Sequence, residues 1–185
     1  MGTIVSVYDR PLPASGEHLV AAAFVLYGPN TTMVVCDGER VDEYLLAESD
    51  RTLLREDLTL PENPTVYGFG GRRPDWTPGV TAVVEEFEED RLKLRYGGAF
   101  IGDVTQVLTH GGIFAYPELE DAPDGKLRYC FECAPVGFVV EAAGGRVSDG
   151  DGDLLPNRPD ELHERRAVYL GNADLVERVE AELSS

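Results

Sequence analysis

R-Y-G-G-A-F-I-G-D-V-T-Q-V-L-T-H-G-G-I-F-A-Y-P-E-L-E-D-A-P-D-G-K-L-R-Y-C-F-E-C-A-P, residues 95–135, carries the alternation that decides the fold. Ala99 to Leu108 places Phe100, Ile101, Val104 and Leu108 on one face of a helix. Gly112 to Tyr116 is a short apolar run ended by Pro117, which reads as a strand. Pro135 to Ala143 returns to helix and is closed by Gly144-Gly145. Helices mixed with strands predict a layered α/β fold. Among these apolar elements stand groups that a core does not require: Arg95, Tyr96, Tyr116, Lys126 and Glu132. Cations and phenol hydroxyls together suit an anionic, hydroxylated ligand.

Upstream, Thr3 to Tyr8 is rich in β-branched residues and predicts a strand. His18 to Tyr27 is apolar nearly all round and predicts a buried helix stopped by Gly28-Pro29. Thr31 to Cys36 and Val41 to Leu46 flank Asp37-Gly38, a hairpin signal. Thr52 to Leu60 reads as a strand or sheet edge, and Thr65 to Phe69 as another strand. Pro78 to Phe87 is helical with an acidic end that opposes the helix dipole, so this end is expected to fray. Downstream come a short strand at Leu92 to Arg95, a polar loop from Ser148 to His163 and a strand at Ala167 to Leu170. A last helix, Ala173 to Leu183, is expected to be capped by Asn172. With no repeat and no linker, residues 1–185 read as a single domain.

The charge balance excludes several functions. The chain has 34 acidic and 16 basic residues, a formal net charge of -18. Such a surface repels nucleic acid and anionic membrane. It suits a solvated acidic coat, and in particular one adapted to high salt. Only Lys93 and Lys126 are lysines; the other basic residues are arginine. A lysine retained on such a surface points to a local reason, and Lys126 sits in the turn Asp124-Gly125-Lys126. There is no basic n-region of a secretory signal and no apolar run near ~18 residues, so a cytoplasmic location is expected.

Several constellations lead nowhere. Cys130 and Cys133 form a C-x-x-C, but Cys36 is the only other cysteine and cannot complete a four-ligand zinc site. Glu132 between the two thiols disfavours a redox pair, leaving buried structural cysteines. Asp149 to Asp153 opens like a calcium loop, yet Leu154 stands where the loop needs glycine, and Pro156 and Asp160 fill later positions wrongly. His18, His110 and His163 lie far apart without partners at ligand spacing. In Gly68-Phe69-Gly70-Gly71-Arg72-Arg73 the glycines would admit a phosphate and the arginines would bind it, and a plain surface turn explains the same residues equally well. Glu132 precedes Pro135 at a helix start; on spacing alone a capping role is favoured over metal ligation.

Taken in order, the motifs resemble class I fructose-1,6-bisphosphatase: G-T-I-V-S-V-Y (2–8), H-L-V-A-A-A-F-V-L-Y-G-P-N-T-T-M-V (18–34), R-Y-G-G-A-F-I-G-D-V (95–104), G-G-I-F-A-Y-P (111–117), D-G-K-L-R-Y-C-F-E-C-A-P (124–135), E-A-A-G-G (141–145) and V-Y-L-G-N (168–172). The resemblance implies the second half of a layered αβαβα sugar-phosphatase fold, a mixed sheet flanked by helices, with a first sheet absent. Exposed apolar surface is therefore expected near Thr3 to Tyr8 and Val20. It implies that Arg95 reaches the sugar 6-phosphate in a neighbouring subunit of a homo-oligomer, a tetramer in this family. Tyr96 and Tyr116 would donate hydroxyls to that phosphate, Phe100 would line the sugar, and Lys126 would contact the sugar and its anionic groups. Glu132 would shift from cap to catalytic metal ligand, for the divalent ions, Mg²⁺, that hold the 1-phosphate. Attack would be in line, by a metal-activated water.

Two departures from the family pattern stand out. At Gly68 to Arg73 the family carries an Asn and a Tyr on the 6-phosphate; here Arg72 or Arg73 is expected to make that contact. The family's D-P-x-D-G-[ST] motif, its other acidic metal ligands and most of its nucleotide-inhibitor site fall upstream of Met1. The expectation is a bisphosphatase whose sequence starts late. The alternative is a non-catalytic sugar-phosphate-binding or partner subunit.

Overall fold

The computed structural model describes residues 1–48, 50–119 and 122–185. Five strands, β1 (Gly2–Tyr8), β2 (Leu19–Leu26), β3 (Thr31–Cys36), β4 (Val41–Leu46) and β5 (Arg51–Arg55), form an antiparallel sheet in sequence order. The Asp37-Gly38 hairpin is as predicted: Cys36 pairs with Val41, and the Asp37 carboxylate accepts the Glu39 and Arg40 amides. The acidic run that continues from Glu118 through Glu120 and Asp121 lies partly outside the described residues.

The predicted helix over His18 to Tyr27 is a strand. β2 pairs with β1 on one side and β3 on the other. Its apolar run is short enough to serve either period, and tertiary pairing selects the period of two. Ala22 and Phe24 turn into the core, while Val20 faces outward. Two five-stranded sheets are therefore present where one was expected. The exposed apolar surface does appear, as this sheet's outward face: Val5, Val7, Val20 and Leu53 remain 45–54% exposed.

The second sheet is mixed. Its strands are β6 (Val66–Phe69), β7 (Lys93–Leu94), β8 (Gly112–Tyr116), β10 (Arg146–Ser148) and β12 (Val168–Gly171), in the order β10-β12-β8-β6-β7. β6 runs parallel to β7 and β8, and β12 runs antiparallel to its neighbours. A further pair, β9 (Leu127–Arg128) with β11 (Arg165–Arg166), stands apart from both sheets.

Four helices complete the layers. α2 (Phe100–His110) and α3 (Ala134–Ala142) lie between the two sheets, and α1 (Pro78–Glu89) and α4 (Ala173–Leu183) cover the far face of the second. β8 is buried on both faces, which is why its five residues include no charge. Its side chains alternate: Phe114 and Tyr116 join the inter-sheet core with Phe24, Val104 and Leu170, whereas Ile113 and Ala115 join the outer core with Phe87 and Val176.

Two local expectations change. The acidic end of α1 does not fray before Glu89, because neighbouring elements supply its partners. Arg178 of α4 donates to Glu86 and Asp90 at 2.8 Å, and the Tyr67 hydroxyl donates to Glu88 at 2.9 Å. Asn172 sits at the N-cap of α4 but does not cap it. Its side chain accepts from the Gly112 amide and donates to the Pro61 carbonyl, both at 2.8 Å, tying the helix start to β8.

Candidate functional site

β8 ends the inter-sheet core with Tyr116, and the loop between β7 and α2 lays Tyr96 across it. The Tyr96 ring stacks on Phe114 at 6.4 Å, and the two phenol oxygens stand 3.5 Å apart. Phe100, from the first turn of α2, packs on Phe114 at 5.7 Å and on Tyr116 at 6.3 Å. The Lys126 ammonium lies 4.9 Å from the centre of the Tyr116 ring, a cation–π contact. Thus Tyr96, Phe100, Tyr116 and Lys126, chosen from separate parts of the sequence, meet around one aromatic floor. Burial, and then the bond from Tyr96, hold the Tyr116 hydroxyl well above the ordinary phenol range, so it stays a neutral donor.

Among the described residues, Arg72, Arg95 and Lys126 have no carboxylate within 4 Å, in a chain where acids outnumber bases two to one. Arg95 is exposed, and its guanidinium donates to the Leu94 carbonyl at 3.0 Å. Arg73 is different: it faces α1 and pairs with Glu85 at 2.9 Å and Glu88 at 3.7 Å. Of the two arginines at this turn, only Arg73 has a carboxylate partner among the described residues.

The glycines of the turn also have a structural reason. A Cβ at Gly68 would lie 2.2 Å from the Arg95 carbonyl oxygen, and one at Gly70 would lie 2.2 Å from the Tyr116 ring. The indole of Trp76 donates to the Gly70 carbonyl at 2.8 Å and fixes the turn. These glycines let β6 pass close to the Tyr96 loop and let Tyr116 lie flat over the strand end.

Glu132 stands in a π-helical turn, Tyr129–Cys133, that runs directly into α3. It makes no cap bond to α3. Its Oε2 accepts from both the backbone amide and the guanidinium Nε of Arg128 at 3.0 Å. Glu132, Arg128 and Phe131 line a cleft of about 640 Å³ whose far side includes Phe100 and Ala99. Phe100 therefore contributes both to the Tyr96–Tyr116–Lys126 floor and to the Glu132 cleft. Among the described residues no three of His, Cys, Asp and Glu converge as a metal-ligand set. A divalent ion needs several oxygen donors. One carboxylate already bonded to an arginine does not fit that need by itself.

The discarded constellations remain structural. Cys36, Cys130 and Cys133 are free and buried; burial, followed by the charge of Glu132, pushes the Cys133 thiol far up. Asp149 accepts from the Asp151 amide and from the Asn157 side chain, and Asp153 pairs with Arg146, so the calcium-like run is a turn held by neighbouring side chains. His18 pairs with Asp9, and His163 stacks on Phe131. No described helix is long and apolar enough to cross a membrane.

Sequence reasoning missed three residues of this region. Phe114 is the centre of the aromatic floor but reads as ordinary core. Arg128 lies four residues before Glu132, a spacing that signals pairing only once the turn is helical. Asp103 is a carboxylate 4% exposed in the first turn of an apolar helix, and that mismatch with its surroundings was a visible signal.

The chain is similar to several known proteins. A family model described as the fructose-1-6-bisphosphatase C-terminal domain matches residues 60–184. A class 1 fructose-1,6-bisphosphatase of Natronomonas pharaonis is 55% identical over 184 residues, covering 99% of this chain and 65% of that protein. The corresponding protein of Halobacterium salinarum is 54% identical over 182 residues, covering 98% of this chain and 63% of its own length. The holo form of Leishmania major fructose-1,6-bisphosphatase superimposes with a TM-score of 0.93 at 27% identity, over 100% of this chain and 63% of that one. The chain thus spans just under two thirds of the length of these relatives.

Proposed function

The chain belongs to the fructose-1,6-bisphosphatase family, through that family's C-terminal domain, and from this we propose that residues 95–135 bind the sugar and 6-phosphate of fructose 1,6-bisphosphate. The reaction we assign is hydrolysis of the 1-phosphate, giving fructose 6-phosphate and inorganic phosphate. It would make the protein a phosphoric monoester hydrolase of gluconeogenesis. The observation that carries the reading is the meeting of Tyr96, Tyr116 and Lys126 on the Phe100–Phe114 floor.

In this reading the two phenols donate to phosphate oxygens and Lys126 neutralises their charge. Phe100 lies against the sugar carbons and separates the 6-phosphate end from the Glu132 end. Arg72 closes the phosphate site from the Gly70-Gly71 turn. Arg95, which is exposed, would reach a ligand held by a neighbouring copy in a homo-oligomer, which we take to be a tetramer. Glu132 would offer one carboxylate to a divalent ion, Mg²⁺ in our reading, which would activate water and steady the 1-phosphate; Arg128 would have to release it. We take residues 1–185 as one unit acting in the cytoplasm.

A second reading rests on the Arg128–Glu132 pair. With its single carboxylate so engaged, the chain would bind sugar phosphate without hydrolysing it, as a binding or partner subunit. One experiment separates the two. The 185-residue chain is titrated calorimetrically with fructose 6-phosphate, and phosphate release from fructose 1,6-bisphosphate is followed with Mg²⁺. Binding with turnover supports the enzyme, binding without turnover supports the second reading, and absence of binding overturns both.

A further inference from the structure

We propose that Asp103 is a positioning residue that fixes the loop carrying Arg95 and Tyr96, and so sets the affinity of the phosphate site without touching the ligand. The proposal deepens the sugar-phosphate reading above.

The loop from Arg95 to Ala99 contains Gly97 and Gly98, and Gly98 adopts φ +68°. Two adjacent glycines leave such a segment with large conformational freedom. One end of the loop is held by β6: the Arg95 amide donates to the Tyr67 carbonyl at 2.7 Å. The other end enters α2 at Ala99, which has no side chain able to cap the helix. Asp103 supplies that function from inside the helix. Its Oδ1 accepts from the Gly97 amide at 2.6 Å and its Oδ2 from the Ala99 amide at 3.2 Å.

Both oxygens thus bind the loop backbone, one on each side of Gly98. The carboxylate is 4% exposed and, among the described residues, has no cation within ion-pair distance. A buried carboxylate is costly unless hydrogen-bonded, so the loop amides and the positive end of α2 are what stabilise it. The dependence is mutual. Without Asp103 the Gly97 and Ala99 amides lose their acceptor, and Tyr96, hinged beside Gly97, loses the constraint that holds it on Phe114 and near Tyr116. Ordering that hydroxyl would then be charged to ligand binding.

The test has a readout that does not depend on the ligand. Amide hydrogen exchange of Gly97 and Ala99, and the NMR ring signals of Tyr96, are compared in wild type, Asp103→Asn and Asp103→Ala. We expect protection at both amides to fall by at least tenfold in the alanine variant and the Tyr96 signals to average, with asparagine intermediate because it retains one acceptor. Fructose 6-phosphate affinity, measured by calorimetry on the same samples, should weaken about tenfold in the alanine variant, in the same rank order. If alanine does not fold, asparagine carries the comparison. Unchanged exchange and Tyr96 signals overturn the anchoring. Loosened amides with unchanged affinity overturn the role in binding. A wild-type chain that binds no fructose 6-phosphate overturns the sugar-phosphate reading and the binding role with it, while the exchange data still decide the anchoring.

Discussion

The phenol oxygens of Tyr96 and Tyr116 stand 3.5 Å apart, with Lys126 seated over the second ring. Hydroxyl pairs that satisfy each other meet at about 2.7–2.8 Å. At the longer separation the bond from Tyr96 to Tyr116 is weak, and an oxyanion placed between the two would replace it and accept from both hydroxyls. The three side chains of the proposed site are tested one at a time.

Tyr96→Phe, Tyr116→Phe and Lys126→Met each remove one donor and retain the packing shape. A hydrogen bond to a charged group contributes about 1.5–3 kcal/mol. Each variant should therefore bind fructose 6-phosphate roughly 10- to 100-fold more weakly in a calorimetric titration. Arg73→Ala, by contrast, should leave affinity unchanged, since that guanidinium faces Glu85 and Glu88. Equal losses at Arg72 and Arg73 would contradict the assignment of Arg72.

Gly70→Ala tests the floor rather than the donors. The new methyl would stand 2.2 and 2.4 Å from two carbons of the Tyr116 ring, which must tilt away. Overpacking of this kind costs about 1–3 kcal/mol. We expect a lower denaturation midpoint together with weaker sugar-phosphate binding. A variant that loses stability but retains full affinity would show that the Tyr116 orientation does not matter to the ligand.

Local order was legible where a segment had one dominant pattern. The hairpin around Asp37-Gly38, the central strand β8 and the helix after Asn172 follow from turn chemistry and period alone. The His18 to Tyr27 run failed because a short, uniformly apolar segment satisfies both periods, and only its pairing with β1 and β3 decides between them. At the site, Tyr96, Tyr116 and Lys126 were recoverable as residues out of place in a core. The Arg128–Glu132 bond was not, because it depends on a π-turn that no propensity announces. Asn172 shows the same limit: its position is that of a cap, but its side chain serves Gly112 and Pro61.

Glu141, near the end of α3, gives a pH prediction. Burial, and next the charge of Asp153, push its carboxyl up to about 7. The folded state therefore holds this proton over a range in which the unfolded chain has released it. Stability from this group is fully present below the unfolded value of 4.5 and is lost as pH rises to about 7. Because the carboxyl is partly exposed and screened, the loss should be about 1 kcal/mol. Glu141→Gln removes the titration, so urea denaturation of this variant should show a flatter stability profile across that window than wild type. Parallel profiles for the two proteins would refute the assignment.

The acidic coat predicts a salt dependence with a definite sign. A net charge of -18 on 185 residues makes the folded state repel itself. Glu118 shows it locally: its carboxyl is pushed up by burial and then by Asp151, Asp149 and Asp124. Added salt shortens the screening length from about 10 Å at 0.1 M to about 3 Å at 1 M, which weakens contacts between like charges across the surface. Ion pairs such as Arg178 with Glu86 and Asp90 weaken too, but most acids have no such partner, so relief of repulsion prevails. A gain of about 1 kcal/mol raises the midpoint by about 2–4 °C in a chain of this size. We expect a rise of at least that much between dilute buffer and molar NaCl. The same scan on an Asp149→Asn/Asp151→Asn variant should start higher in dilute buffer and respond less to salt, because two of the charges crowding Glu118 are gone. A wild-type midpoint indifferent to salt would remove electrostatic self-repulsion from the account of this surface.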